Sequence, residues 1–226
     1  ELGMGMGEDI RTKIAKRAAK EIQPGMIVNL GIGIPSLVPD YIACKDLVFF
    51  QAENGILGMG ETPPLGKEDA HLCNAGGFPV TLREGGSYFD STLAFAMIRT
   101  GKIDVTILGA LQVSEKGDLA NWMVPGKRVP GMGGAMELAA KAKKVIVTMN
   151  HCDRQGYSKI VQQCSLPLTA QSCVSMIITE MGVFTINNGC LTLTEIFAPY
   201  NLQEVTAATD AHFMIAEDWK LITEGG

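Results

Sequence analysis

Four short apolar runs, residues 26–30, 47–50, 103–109 and 145–149, are separated by stretches long enough to hold helices, and no other feature of the 226-residue chain constrains its fold as tightly. Runs of this kind bury both faces of a strand, which needs a sheet covered by helices on either side. The intervening segments supply those helices. Over residues 8–22 the apolar positions Ile10, Ile14, Ala18 and Ile22 recur every four residues, and Pro24-Gly25 provides the stop. Residues 36–44 read as a short helix interrupted by proline, residues 91–100 as a helix stopped by Gly101, and residues 136–143 as an Ala- and Lys-rich helix. Strand-like runs at 119–124, 174–179, 183–186 and 191–197 precede a last helix at 201–209. The expectation is an α/β fold with a mainly parallel open sheet and flanking helices.

With 46% hydrophobic and 19% charged residues the chain can bury one sizeable core, and no linker or repeat divides it, so residues 1–226 are expected to form a single domain. Residues 1–7 read as flexible, and residues 1–3, ahead of Met4, as a possible leader foreign to the natural chain. A net charge of −5 argues against a nucleic-acid partner, because such binding rests on clustered Lys and Arg. No apolar run approaches a membrane span and the N-terminus lacks the pattern of a secretory signal, so the expected location is cytoplasmic. Six cysteines without a C-x-x-C pair read as free thiols, and three histidines without an H-E-x-x-H motif predict no metal site.

The 26 glycines cluster at Gly31/Gly33, Gly55/Gly58/Gly60, Gly76/Gly77, Gly85/Gly86 and Gly131/Gly133/Gly134, mostly after predicted strands. Each cluster alone is an ordinary turn. Together they favour one sheet edge where backbone N–H groups can approach a ligand. At that edge the run Leu47-Val48-Phe49-Phe50 breaks into Gln51-Ala52-Glu53-Asn54-Gly55, which delivers the Glu53 carboxylate to a strand end. A carboxylate there can attack an activated acyl group without a general base, or it can simply open a solvated loop.

Three readings fit the pattern. A strand, Gly31-x-Gly33, a helix and a second strand ending in an acid resemble a dinucleotide-binding unit, although Pro35 and Ser36 stand where the third glycine of that motif belongs. His71 and Cys73 suggest thiol acyl transfer, against the commoner role of cysteine as a small core residue. The third reading joins Asn29-Leu30-Gly31-Ile32-Gly33-Ile34-Pro35, Glu53-Asn54-Gly55-Ile56-Leu57-Gly58, Leu119-Ala120-Asn121-Trp122, Pro125-Gly126-Lys127 and Gly131-Met132-Gly133-Gly134-Ala135-Met136. With Cys164-Ser165-Leu166-Pro167-Leu168-Thr169 and Leu193-Thr194-Glu195, this order resembles the β subunit of class I CoA-transferases, of the succinyl-CoA:3-oxoacid and butyrate/acetoacetate type, from about Arg11 to Phe213.

The resemblance implies the CoA-transferase fold and transfer of coenzyme A between carboxylic acids, with Glu53 as the covalent nucleophile. Glu53 would pass through a mixed anhydride to a glutamyl-CoA thioester, with coenzyme A as substrate and no metal or redox cofactor. The loop at Gly133, Gly134 and Ala135 is implied to stand beside Glu53, where its N–H groups would stabilise oxyanions. Asn29, Gly31, Gly33, Asn54 and Gly55 are expected to serve substrate or CoA binding; Asn29 reads equally as a cap of the turn that follows it. The implied partner is a separate α subunit, in an αβ or α2β2 assembly. The chain departs from the family at Ala52, where members usually carry serine, so Glu53 lacks that neighbouring hydroxyl.

Overall fold

The computed structural model describes residues 5–126 and 131–223. In chain order, α1 (Gly5–Ala19) leads to β1 (Ile27–Leu30), a 3-10 segment (Ile34–Tyr41), β2 (Phe49–Ala52), β3 (Ile56–Met59) and β4 (Leu82–Tyr88). Next come α2 (Ser91–Arg99), β5 (Val105–Leu108), β6 (Gln112–Ser114), β7 (Leu119–Ala120), α3 (Ala135–Lys141) and β8 (Lys144–Thr148). The chain closes with β9 (Ile160–Val161), β10 (Met176–Ile178), β11 (Gly182–Asn187), β12 (Cys190–Phe197), α4 (Leu202–Ala208) and β13 (Met214–Ile222).

Ten strands form one sheet in the order β13-β12-β11-β10-β8-β5-β1-β2-β3-β4, and β7-β6-β9 form a small second sheet. The five central strands, β10 to β2, are parallel throughout, as the apolar runs require. Antiparallel pairs flank them, β11 and β12 on one side and β3 and β4 on the other. Of the residues expected to be flexible, Gly5–Gly7 belong to α1, and residues 1–4 lie outside the described residues. The segment expected as a proline-interrupted α-helix is a 3-10 helix, because Pro35 and Pro39 remove two N–H donors from it. The run at 119–124 shortens to the two residues of β7.

Each face of the sheet has its own core. Ile14, Ala15 and Ala18 of α1, with Val38 of the 3-10 segment, cover Val28, Phe50, Val105, Ile107, Ile146 and Ile178. On the other face Val145, Val147, Ile177, Phe184 and Leu193 pack with Ala139 of α3 and with Val113, Leu119 and Ile160 of the small sheet. The small sheet is thereby part of the main core. Among the described residues no helix is long and apolar enough to cross a membrane.

The strand order creates the crevice that matters. From β1 the chain passes along the α1 face to β2, on one side of β1; through β3, β4 and α2 it then crosses by the opposite face to β5, on the other side. Connections that diverge in this way leave a gap at the carboxyl ends of the parallel strands, the usual place for a ligand in an open α/β sheet.

Candidate active site

Glu53 follows the last residue of β2 at that carboxyl edge and is half-buried. The turn that holds it depends on Gly55, whose φ is +118° and whose N–H donates to Ala52 O at 3.0 Å. A side chain on Gly55 would meet Phe89 O at 1.9 Å, so only glycine lets β4 close against the turn. The Asn54 amide donates to Cys73 O at 2.7 Å and anchors the neighbouring loop. Asn54 and Gly55, expected as substrate-binding residues, thus have structural partners that explain them.

Asn29 is the residue that reaches the carboxylate. On adjacent parallel strands it lies opposite Gln51, two residues before Glu53, and its Nδ2 donates to Glu53 Oε2 at 3.1 Å. The same nitrogen donates to Gln51 Oε1 at 2.8 Å and to Gln51 O at 3.2 Å. Both amides are buried, at 2% and 1% exposure, where polar groups occur only with partners. Gly31, just beyond β1, donates to Ile107 O at 2.8 Å and crosses close to β5, while Gly33, with φ +94°, opens the 3-10 segment.

The Gly133–Gly134–Ala135 segment approaches from the other side. Gly133 has φ +56°, and Gly134 caps α3 in helical conformation. A Cβ on Gly134 would lie 3.2 Å from Glu53 Cγ and 3.3 Å from Oε1, so the missing side chain is what lets this backbone touch the carboxylate. The Ala135 N–H donates to Met132 O at 3.3 Å, so that donor is turned into the loop. One carboxylate oxygen is therefore held by the Asn29 amide and the other faces the bare Cα of Gly134. A carboxyl group restrained in this way presents Oε1 for attack with little rotational freedom to lose.

The Ala52 side chain points the opposite way from Gln51 and is buried with Ile56 and Val80. A serine hydroxyl there would face this apolar cluster, so the departure at Ala52 does not strip Glu53 of a contact. Asn121, from the Leu-Ala-Asn-Trp match, donates to Gly109 O at 3.2 Å just past β5 and accepts from Thr169 Oγ1 at 2.6 Å. Glu195, from the Leu-Thr-Glu match, is bound by Arg17 of α1, well away from the crevice. Lys127 lies outside the described residues. Gln51 was not anticipated; its signal was a polar side chain two residues before the acid on the same strand face.

The competing readings lose their footing. Gly33 leads into a 3-10 helix, which offers no α-helix N-terminus to a pyrophosphate, so the dinucleotide-binding alternative has no support. His71 donates its backbone N–H to Asp69, and among the described residues no hydrogen bond joins it to Cys73. Nor, among those residues, do three His, Cys, Asp or Glu side chains converge as metal ligands would.

Comparison with known proteins identifies the family. The family model described as Coenzyme A transferase matches residues 11–208. The β subunit of a probable coenzyme A transferase of Bacillus subtilis is 60% identical over 212 residues, covering 94% of this chain and 98% of that protein. The corresponding subunit of a succinyl-CoA:3-ketoacid coenzyme A transferase of Helicobacter pylori is 49% identical over 206 residues, covering 91% of this chain and 99% of that one. In fold, the chain is similar to a crystal structure of an acyl-CoA transferase from Escherichia coli O157:H7, with a TM-score of 0.77, 24% identity and coverage of 94% of this chain and 43% of that one. The chain belongs to the coenzyme A transferase family and aligns along its whole matched length with the β subunits of that family.

Proposed function

We propose that this chain is the β subunit of an enzyme that moves coenzyme A between an acyl-CoA and a 3-oxoacid or short-chain carboxylic acid, with Glu53 as the covalent carrier. The observation that carries this reading is the carboxylate held between the Asn29 amide and the Gly134 Cα at a switch-point crevice. In the first step Glu53 Oε1 adds to the thioester carbonyl and coenzyme A leaves as thiolate, forming a glutamyl–acyl anhydride. The thiolate then adds to Glu53 Cδ and expels the acyl carboxylate, leaving a glutamyl-CoA thioester. The incoming acid repeats both steps in reverse. Charge develops on Oε2 during attack at Cδ, and Asn29 Nδ2 is already placed to donate there. Thioester energy is conserved throughout, so the chemistry as written calls for no metal or redox cofactor. The 3-oxoacid class is supported by the name of the Helicobacter pylori relative.

The designation of these relatives as one subunit of a transferase supports a separate α chain as partner. Part of the acyl and CoA pocket would come from that partner, so the isolated chain is expected to be inactive. The test is intact-protein mass spectrometry of the assembled complex mixed with acyl-CoA and no acceptor. A hydroxylamine-labile CoA adduct mapping to Glu53 is expected, together with loss of exchange in Glu53→Gln. Normal exchange by Glu53→Gln would end this reading.

A further inference from the structure

The hydrogen bonds around Glu53 do not stop at Asn29. Gln51 Nε2 donates to Ala94 O of α2 at 3.4 Å, and Gln51 Oε1 accepts from Asn29 Nδ2 at 2.8 Å. A backbone carbonyl can only accept, so Ala94 O turns the nitrogen of Gln51 toward α2 and its oxygen toward Asn29. That oxygen, the Gln51 backbone carbonyl and the Glu53 carboxylate then surround one end of Asn29 with acceptors only, which turns its nitrogen toward all three. The chain Ala94–Gln51–Asn29–Glu53 links a helix to the carboxylate, with Gln51 donating to Ala94 and Asn29 donating both to Gln51 and to Glu53.

We infer that Gln51 is a positioning residue of the transfer reaction, which locks the Asn29 amide in the orientation and place that deliver an N–H to Glu53 Oε2. This rests on the reading of Glu53 as the covalent carrier. Gln51 touches no reacting atom through its side chain, and its effect passes through Asn29. Three features support the assignment. At 1% exposure the Gln51 side chain is sealed from solvent, so nothing but protein sets its orientation. Asn29 and Gln51 are direct register partners on parallel strands, which holds the two backbones together. The helix at the far end is itself anchored, since Asp90 caps α2 through Leu93 N–H at 2.9 Å and Arg99 at its other end pairs with Glu137 of α3. A donor fixed before reaction has no reorganisation to undergo as charge develops on Oε2, which is where preorganised donors act.

The experiment uses the complete complex with its α partner and measures single-turnover formation of the CoA adduct. Gln51→Met keeps the length of the side chain and removes both hydrogen bonds; Gln51→Asn keeps an amide in the core but is too short to bridge Ala94 and Asn29. Each is expected to slow adduct formation about tenfold or more while the acyl-CoA concentration for half-maximal rate stays within about twofold. In an Asn29→Ala complex the same changes at Gln51 are expected to slow the reaction by no more than about twofold, because the route through Asn29 is gone. Wild-type rates in either assembled variant, or a loss that persists undiminished beside Asn29→Ala, would overturn the assignment. So would failure of both variants to assemble, which would make Gln51 a residue of the fold. Exchange by Glu53→Gln tests the parent reading separately: if that variant is inactive and the Gln51 variants behave as wild type, only the role of Gln51 falls.

Discussion

Glu53 and Gly134 are placed so that each explains the other. The Gly134 backbone is helical, a conformation open to alanine, yet an added methyl would press on Glu53 Cγ and Oε1. Gly134→Ala is therefore expected to fold normally and to lower turnover roughly 10- to 100-fold, since small displacements of a reacting group carry large rate costs. Steady-state assay beside a thermal melt checks this; full activity would show that Glu53 can swing clear of the methyl without consequence. Glu53 and Asn29 were legible in the sequence as an acid and an amide at strand ends, while Gly134 was set beside the acid only by the family resemblance. Gln51 was not legible, because its role arises from cross-strand register, and one strand read alone shows only a polar residue among apolar ones.

Elements with strong periodicity were legible in type and place. The central strands and α1 follow their apolar patterns, and the first and last helices shift only by a few residues at their ends. Strands β3, β4, β6, β9 and β13 were not seen. β4 carries Arg83, Glu84, Gly85 and Gly86, and is a strand because β3 pairs with it across a bulge where Gly58 meets Gly86 closely. β13 is an exposed edge with no clean alternation, held by pairing to β12. Side-chain ties between elements also lay beyond local pattern. Arg17 of α1 makes a two-point contact with Glu195 of β12 at 2.7 and 2.8 Å and a third bond to Glu21, which also binds Lys144. Although burial opposes charge on these groups, the bonds from Lys144 and Arg17 hold the Glu21 carboxyl below its ordinary range, and those to Glu195 and Glu21 keep Arg17 charged. Arg17→Met leaves the largely buried Glu195 unpaired and is expected to cost about 3 kcal/mol, the low end for a pair that keeps some contact with water, read from urea unfolding at neutral pH. A loss within error would mean that water replaces the guanidinium freely.

At the scale of the whole molecule, His151 joins three separate parts of the chain. Its ring, fully buried beside Phe184, lies 3.0 Å from Thr179 Oγ1 and 2.9 Å from Thr209 Oγ1, beyond the ends of β10 and α4. The Thr209 hydroxyl donates to Val205 O, so it accepts from Nε2–H, and the one proton of the Thr179 hydroxyl lies between two acceptors, Nδ1 at 3.0 Å and Gly182 O at 3.3 Å; a neutral ring, with Nδ1 bare, suits both contacts. Burial lowers its pKa to about 4 from an ordinary 6.5. Between those values the unfolded chain binds a proton that the folded chain refuses, so stability is full above pH 6.5 and falls as pH drops toward 4, by about 3 kcal/mol in all. Urea midpoints from pH 7 to 4 should therefore decline less steeply in His151→Gln than in the wild type; parallel profiles would rule this contribution out.

The local pattern of residues determined the central strands and the helices α1 to α4, because periodicity and turn chemistry act over a few neighbours. It also determined the family, through motifs whose order survives without any knowledge of their contacts. Only the tertiary structure decided that Asn29, Gln51, Glu53 and Gly134 form one site. Their meeting depends on parallel register between β1 and β2, on the crossover that opens the crevice, and on a glycine loop some eighty positions further along the chain closing over the carboxylate. These are long-range pairings, and a side chain's partner across a sheet is set by how strands associate, which no segment encodes by itself.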